Sequence, residues 1–316
     1  MRTEIVIFLV SAAVSAILCA ALIPILKRLK AGQYILGYVE EHKSKSGTPT
    51  MGGLAFVVAA VIVAAAFGLF ADKRVAVAAA LGGAYTAVGF LDDFIKFRFR
   101  RNLGLRAYQK IVFQLAIALL AGVFCFLNGL TVLHVPFTDI SVDIGGWVIP
   151  LAVFVLVATV NSVNLTDGLD GLAASVSFWY FASFALLLFL SVGRTSLMRL
   201  CLILCGVLAG YLIFNTNKAS VFMGDTGSLG LGGFAAAVGL LSGNALYILV
   251  VGIMFVLSSI SVILQVIYYK RTKKRIFLMA PLHHHFQEKG YSEAKIAYVY
   301  SLITAAAGLL CACFVQ

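Results

Sequence analysis

The sequence predicts an all-α polytopic membrane protein: about ten transmembrane helices in a single integral membrane domain spanning 1–316, a cytoplasmic active site and a small outer β-hairpin. Three observations predict it. Hydrophobic residues make up 62% of the 316 and charged residues 12%, against roughly 25% charged in an ordinary globular domain. The mean hydropathy is +1.02. Apolar runs long enough to cross ~30 Å of hydrocarbon recur along the whole chain. Length alone would suggest about two soluble domains, but no soluble core could hide this much apolar surface. A soluble enzyme, a disulfide scaffold and a disordered regulator are excluded.

Ten runs qualify as spans: 4–26, 51–71, 74–91, 111–127, 147–163, 171–192, 196–214, 228–242, 245–269 and 293–315. The first is too long for a signal-peptide core and reaches Pro24 without an A-x-A-like site, so it is expected to stay in the chain. Sidedness comes from the 24 Lys and Arg, which leave a net charge of +11. Odd-numbered connections and the start of the last span hold 19 of them, including Lys27, Arg28, Lys30, Lys43 and Lys45 in the first. The third holds Lys96, Arg98, Arg100, Arg101, Arg106 and Lys110, and the ninth, 270–292, holds six more. Arg2, Lys73, Arg74, Arg194 and Arg199 are left for the other face. The positive-inside rule then puts the odd loops in the cytoplasm and both termini outside. For most of these cations topology is the whole reading.

Between spans four and five, residues 131–146 alternate β-branched with polar and turn residues, which predicts the outer hairpin. All six cysteines fall in apolar runs, with neither zinc spacing nor a disulfide framework. Segment 270–292 carries Ile276, Phe277, Leu278 and Met279 between basic residues and reads as a cytoplasmic interfacial loop able to cover a lipid access route.

Acids are rare, 13 in all, and Asp92, Asp93, Asp167, Asp170 and Asp225 all stand at span ends on the basic face. Carboxylates there are costly to desolvate and are functional candidates. Asp92 and Asp93 diverge by about 100° on a helix, so one can face a site while the other orients a neighbour; Lys96 lies within side-chain reach of both. A solvated cap with a surface ion pair is the alternative. Asn161–Gly171 carries Asn164, Asp167 and Asp170 with two Asp-Gly steps that permit tight turns. Asp170 could serve simply as an N-cap, but capping leaves Asn164 and Asp167 without a reason. Gly224-Asp225-Thr226-Gly227 suits a divalent ion and lacks P-loop spacing. His283, His284 and His285 are consecutive and cannot converge on one ion from a regular helix; as donors to phosphate or to a ring they fit better. Ser44–Gly53 combines Lys45 with Ser, Thr and Gly ahead of a helix start, a composition able to hold an anion on backbone N–H groups.

Together these five motifs resemble the polyprenyl-phosphate N-acetylhexosamine-1-phosphate transferases, from about residue 43 to residue 290. The unbroken Pro281-Leu282-His283-His284-His285-Phe286 and Ser46–Gly53 are similar to the branch that uses UDP-MurNAc-pentapeptide, whereas relatives using UDP-N-acetylglucosamine tend to space their histidines differently. The resemblance implies transfer of phospho-MurNAc-pentapeptide to undecaprenyl phosphate, release of UMP and a need for Mg2+. It implies a multi-pass protein of the bacterial inner membrane, in contact with the lipid bilayer and without nucleic acid, and allows for a homodimer. By the same resemblance Asp92, Asp93, Asp225 and His284 are the catalytic set and Asp225 the metal ligand. The substrate-binding set is Lys45, Thr50, Lys96, Asn164, Asp167, Asp170, Asn215, Phe222, Gln265, His283 and His285. Gln287 stands where many relatives have an acid, and no role is assigned to it.

The chemistry exchanges one phosphoanhydride for another, so the demand is charge handling. The expected route is direct attack by the lipid phosphate, with Asp92 taking any remaining proton; the rival is a covalent aspartyl intermediate. A transporter is the main reading of another class, and it would set polar residues near the bilayer midplane. A non-catalytic scaffold leaves the five aspartates without a reason.

Overall fold

The computed structural model describes residues 2–29, 47–99, 104–193 and 195–314. Twelve helices are present among these residues. They are α1 (Arg2–Arg28), α2 (Gly53–Ala66), α3 (Lys73–Phe99), α4 (Ala107–Leu127), α5 (Val148–Thr166) and α6 (Leu172–Ser191), followed by α7 (Ser196–Asn215), α8 (Gly224–Leu241), α9 (Tyr247–Val251), α10 (Ile253–Thr272), α11 (Leu282–Glu288) and α12 (Glu293–Ala312). Eight stretches among the described residues are long and apolar enough to cross a membrane. They carry the exposed Leu, Ile, Val and Phe side chains that a soluble protein would bury. The protein is an all-α polytopic membrane protein. Between α4 and α5, strands β1 (Val132–His134) and β2 (Ser141–Asp143) pair antiparallel, with Leu133 opposite Val142, as the alternation in 131–146 predicts. The six cysteines are free.

At the centre stands α8. Beyond Asp225 every residue of this helix is buried, enclosed by α3 and α5 with α2 and α6. Its six glycines lower its hydropathy, and they are also what lets its neighbours close in. A Cβ on Gly89 of α3 would overlap the Asp225 carbonyl, and one on Gly53 of α2 would overlap the Gly227 backbone. Gly232 meets the backbone of Val160 on α5 in the same way. The tight contact fixes where the first turn of α8 lies against the last turns of α3.

Two expected spans are broken. Residues 51–71 form only the 14-residue α2 and a short 3-10 turn at Leu69–Ala71, separated at Gly68 in the left-handed region (φ 67°). At 1.5 Å per residue α2 covers about 21 Å, short of the ~30 Å of hydrocarbon. The 245–269 run divides at Gly252 into α9 and α10. Only Met254, Phe255, Ser258 and Ser261 of α10 are buried, so the rest of that helix leaves the bundle with Ile263, Leu264, Val266 and Ile267 exposed. Two of the cations assigned to the opposite face pair at the far ends of their helices: Arg74 with Asp72 at 3.4 Å and Arg199 with Glu4 at 3.5 Å.

The α3–α8 contact yields a direct test. Gly89→Val forces the helices apart and is expected to cost roughly 2–3 kcal/mol or more, as overpacking does. Gly83→Ala, on the same helix but with open space at its Cβ, is expected to change stability by less than about 1 kcal/mol. Thermal unfolding in detergent reads both.

Candidate active site

At 27 residues α3 spans about 40 Å, and its C-terminal turns carry Asp92, Asp93 and Lys96 at one end of the bundle. Lys110 sits in the first turn of α4, Asn164 in the last turn of α5 and Asp225 in the first turn of α8. Four helix ends therefore meet at one end of the bundle. One carboxylate oxygen from each of Asp92, Asp93 and Asp225 lies within 4.8 Å of the others.

Each carboxylate uses one oxygen to anchor itself and turns the other inward. Asp92 Oδ1 accepts from the Leu105 N–H at 2.7 Å. Asp93 Oδ2 accepts from the Thr226 N–H and hydroxyl at 2.9 and 2.7 Å, at the positive end of the α8 dipole. Asp225 Oδ1 accepts from Asn164 Nδ2 at 3.0 Å, and the same amide reaches Ser228 Oγ at 2.8 Å. The inward oxygens meet two ammonium groups. Lys96 Nζ stands 2.6 Å from Asp92 Oδ2, 3.1 Å from Asp225 Oδ2 and 3.8 Å from Asp93 Oδ1. Lys110 Nζ stands 2.6 Å from Asp225 Oδ2 and 3.1 Å from Asp92 Oδ2. Three negative charges thus face two positive ones, a set able to hold a divalent cation and to receive a phosphate.

Residues 75–243, which contain all of these side chains, match the profile of glycosyl transferase family 4. Residues 45–57 match the phospho-N-acetylmuramoyl-pentapeptide-transferase signature 1. The phospho-N-acetylmuramoyl-pentapeptide-transferase of Caldanaerobacter subterraneus subsp. tengcongensis is 46% identical over 284 residues, 89% of each chain. Those of Heliobacterium modesticaldum and Staphylococcus carnosus are 43% and 39% identical, each over 96% of this chain. The chain belongs to the phospho-N-acetylmuramoyl-pentapeptide-transferase family.

Around the acidic cluster the other expected site residues take varied positions. Thr50 is buried with its hydroxyl unpartnered among the described residues, against Gly224, whose φ of 69° brings the backbone close to Asp93. Phe222 pairs by backbone with Pro49 and Gly52, at 2.8 Å in both cases, which ties the start of α2 to the turn before α8. Asn215 donates to the Val221 carbonyl at 2.9 Å and closes the turn after α7. Asp170 accepts from the Ala219 N–H at 3.0 Å, and its own N–H donates to Glu293 at 2.9 Å. Gln265 accepts from the N–H groups of Ile276 and Phe277 and donates to the Phe277 carbonyl, all at 3.0 Å. Asn215, Asp170 and Gln265 therefore act on the backbone in this structure. Lys45 lies outside the described residues.

Of the three histidines on α11, His283 and His284 lie side by side with ring centroids 4.4 Å apart, while His285 points away from them. His285 Nδ1 accepts from the Leu278 N–H at 3.1 Å, and His284 Nδ1 pairs with Gln287 Oε1 at 2.9 Å. His283 is fully buried with both ring nitrogens unpartnered among the described residues. Burial, with the neighbouring His284, pushes it down to about 3, so its ring is neutral. Both His283 and His284 turn Nε2 toward Gly168, where any side chain would collide with them. The histidine helix is thereby packed on the Asp167–Asp170 turn.

Two participants escaped the sequence reading, Lys110 and Glu293, while Thr226 was read only as part of the Asp225 motif and Gln287 was given no role. Lys110 was visible only as one of six cations in a basic connection, of which Lys96 alone was given a site role.

Asp167 keeps part of its surface open but is crowded. Desolvation, followed by the charges of Asp225, Asp93 and Asp170, raises it to about 8. Its folded value exceeds the unfolded one, so the neutral form stabilises the fold at low pH. That contribution is lost as pH rises from about 4 through about 8. Asp167→Asn makes the neutral state permanent and is expected to flatten the decline of Tm over this range in metal-free detergent; an unchanged slope contradicts the assignment.

Proposed function

We propose that the protein transfers phospho-MurNAc-pentapeptide from UDP-MurNAc-pentapeptide to undecaprenyl phosphate, releasing UMP and forming the first lipid-linked peptidoglycan precursor. The observation that carries the reading is the convergence of Asp92, Asp93 and Asp225 on Lys96 and Lys110 at one end of the bundle. The names of the relatives support this donor over UDP-N-acetylglucosamine. In this reading the carboxylate end is cytoplasmic, both termini are outside, segment 270–292 lies at the cytoplasmic interface, and two copies assemble as a homodimer in the bacterial plasma membrane.

Hard carboxylate oxygens with one uncompensated negative charge suit Mg2+, which Asp225 would hold with Asp92 and Asp93 beside it. The chemistry it supplies there is neutralisation of the pyrophosphate and of the charge developing on UMP. The chain's own groups do the rest. An oxygen of the lipid phosphate attacks the β-phosphorus; the bond from that phosphorus to the oxygen bridging the α-phosphate breaks, and UMP departs with its electron pair. Lys96 and Lys110 offset the approach of two polyanions. The second pKa of a phosphate monoester is about 6, so the acceptor is mostly ionised at neutral pH and Asp92 Oδ2 takes only a residual proton. Asp93, fixed on Thr226, and Asn164, fixed on Asp225, hold the set in place. Thr50 with its buried hydroxyl and the α11 histidines at Gly168 are the donors toward substrate, with His284 set by Gln287. Phe222, Asp167, Asp170, Asn215 and Gln265 complete the substrate side as wall residues.

The test uses the purified full chain with undecaprenyl phosphate and Mg2+. UMP release is expected from UDP-MurNAc-pentapeptide and not from UDP-N-acetylglucosamine; the opposite preference overturns the reading. Asp92→Asn, which removes a charge that positions Lys96 and Lys110, is expected to lower kcat by about 100-fold or more. With β-labelled donor and no lipid acceptor the protein should stay unlabelled, whereas a trapped phospho-aspartate would establish the two-step route.

A further inference from the structure

The helix that carries Lys110 is held on a narrow face. The buried side chains of α4 are Gln114, Ala118, Ala121, Gly122 and Cys125, and much of the remaining circumference carries exposed Leu, Val and Phe. Small residues let two helices approach closely, but a stripe of Ala, Gly and Cys offers no directional contact to fix how α4 is turned about its axis. Gln114 supplies one. It is fully buried, and its amide pairs with that of Asn161 on α5: Asn161 Nδ2 donates to Gln114 Oε1 at 2.7 Å, and Gln114 Nε2 donates to Asn161 Oδ1 at 3.4 Å. Tyr85 on α3 donates its hydroxyl to the Gln114 backbone carbonyl at 3.1 Å. Polar groups buried in a membrane bundle are costly unless paired, and here the pairing joins three helices at one level.

Each of these helices carries a member of the acidic cluster on the same face, one or two turns from the joint. Lys110 precedes Gln114 by four residues, about 6 Å along the axis of α4. Asn164 follows Asn161 by three residues on α5, and Asp92 follows Tyr85 by seven on α3. We propose that Gln114 is a positioning residue: by locking α4 to α5 it sets the rotation of α4 at which Lys110 Nζ reaches both Asp225 Oδ2 and Asp92 Oδ2. The inference rests on the reading of those groups as a site for a divalent cation and phosphate, and Gln114 acts on the site only through Lys110.

The tolerance is small. At a side-chain radius of about 5 Å, turning α4 by about 20° moves the groups it carries by about 2 Å. Lys110 Nζ stands 2.6 Å from Asp225 Oδ2 and 3.1 Å from Asp92 Oδ2, so such a movement breaks one contact or both. Two consequences of opposite sign follow. Asp225, relieved of a competing ammonium, binds a divalent cation more tightly. The approaching phosphates lose a positive charge aimed at them, and turnover falls. A bundle that had merely loosened would lose both cation affinity and turnover.

The experiment uses the purified full chain and reads Mn2+ binding by EPR without substrate, alongside kcat for UMP release. Gln114→Met keeps the volume and removes the amide; Asn161 Nδ2 retains its bond to the Val157 carbonyl at 2.7 Å, so no donor is orphaned. This variant is expected to hold Mn2+ about threefold or more tightly while kcat falls by about tenfold or more. Placed in a Lys110→Met background, the same change should alter Mn2+ affinity by less than about twofold, because the group it positions is already gone. Equal effects in the two backgrounds, or weaker Mn2+ binding together with lower kcat, would mean general loosening and overturn the proposal. Gln114→Asn keeps an amide but withdraws it by one methylene, and should give the same two signs. Wild-type affinity and turnover in both Gln114 variants would also overturn the proposal. Failure of Lys110→Met itself to tighten Mn2+ would refute the underlying reading of the site, and the proposal with it. Thermal unfolding of each variant identifies any that has lost its fold.

Discussion

Three carboxylates held within 4.8 Å of one another at one end of the helix bundle are the constraint on which the rest of this molecule depends. At such a separation each like-charged pair costs roughly 3–4 kcal/mol for an effective dielectric of about 20, and burial adds to it. Lys96 and Lys110 offset most of that repulsion without removing it. They can do so only because the end of α3 and the start of α4 both lie beside Asp225 at the start of α8. The residual negative charge gives the site its affinity for cations, and the two ammonium groups give it tolerance for phosphate.

Holding the carboxylates in register requires a rigid frame. Each is pinned through one oxygen by a donor from a different place: a loop N–H at Leu105, the first turn of α8 at Thr226, and the last turn of α5 at Asn164. Those donors are positioned in turn by the glycine-lined contacts of α8 with α2, α3 and α5. A central helix poor in side-chain volume would be a weak membrane span alone, but surrounded by partners it becomes the fixed reference for the site.

Much of this was legible in the sequence. Composition and run length required a helical membrane protein, and charged residues are too rare in such a chain for five aspartates at span ends on one face to be accidental. The hairpin followed from alternation. What escaped depended on contacts between distant residues. α8 begins at Gly224, four residues before the expected span, because its low apolar content conceals a buried helix. The break at Gly252 is invisible in a continuous apolar run. Lys110 looked like its neighbours because a cation that sets topology and one that neutralises a site are the same residue type. Asp170 and Gln265 hold backbone in distant segments, contacts that no local pattern displays.

The account stands on one claim, that Asp92, Asp93 and Asp225 form a single divalent-cation site moderated by Lys96 and Lys110. Binding of Mn2+ as a spectroscopic stand-in for Mg2+, followed by EPR on the purified, substrate-free protein, tests it most directly. One ion per chain is expected, lost in Asp225→Asn and held more tightly in Lys110→Met, where a competing cation is gone. Binding that survives Asp225→Asn unchanged, or weakens in Lys110→Met, would contradict it.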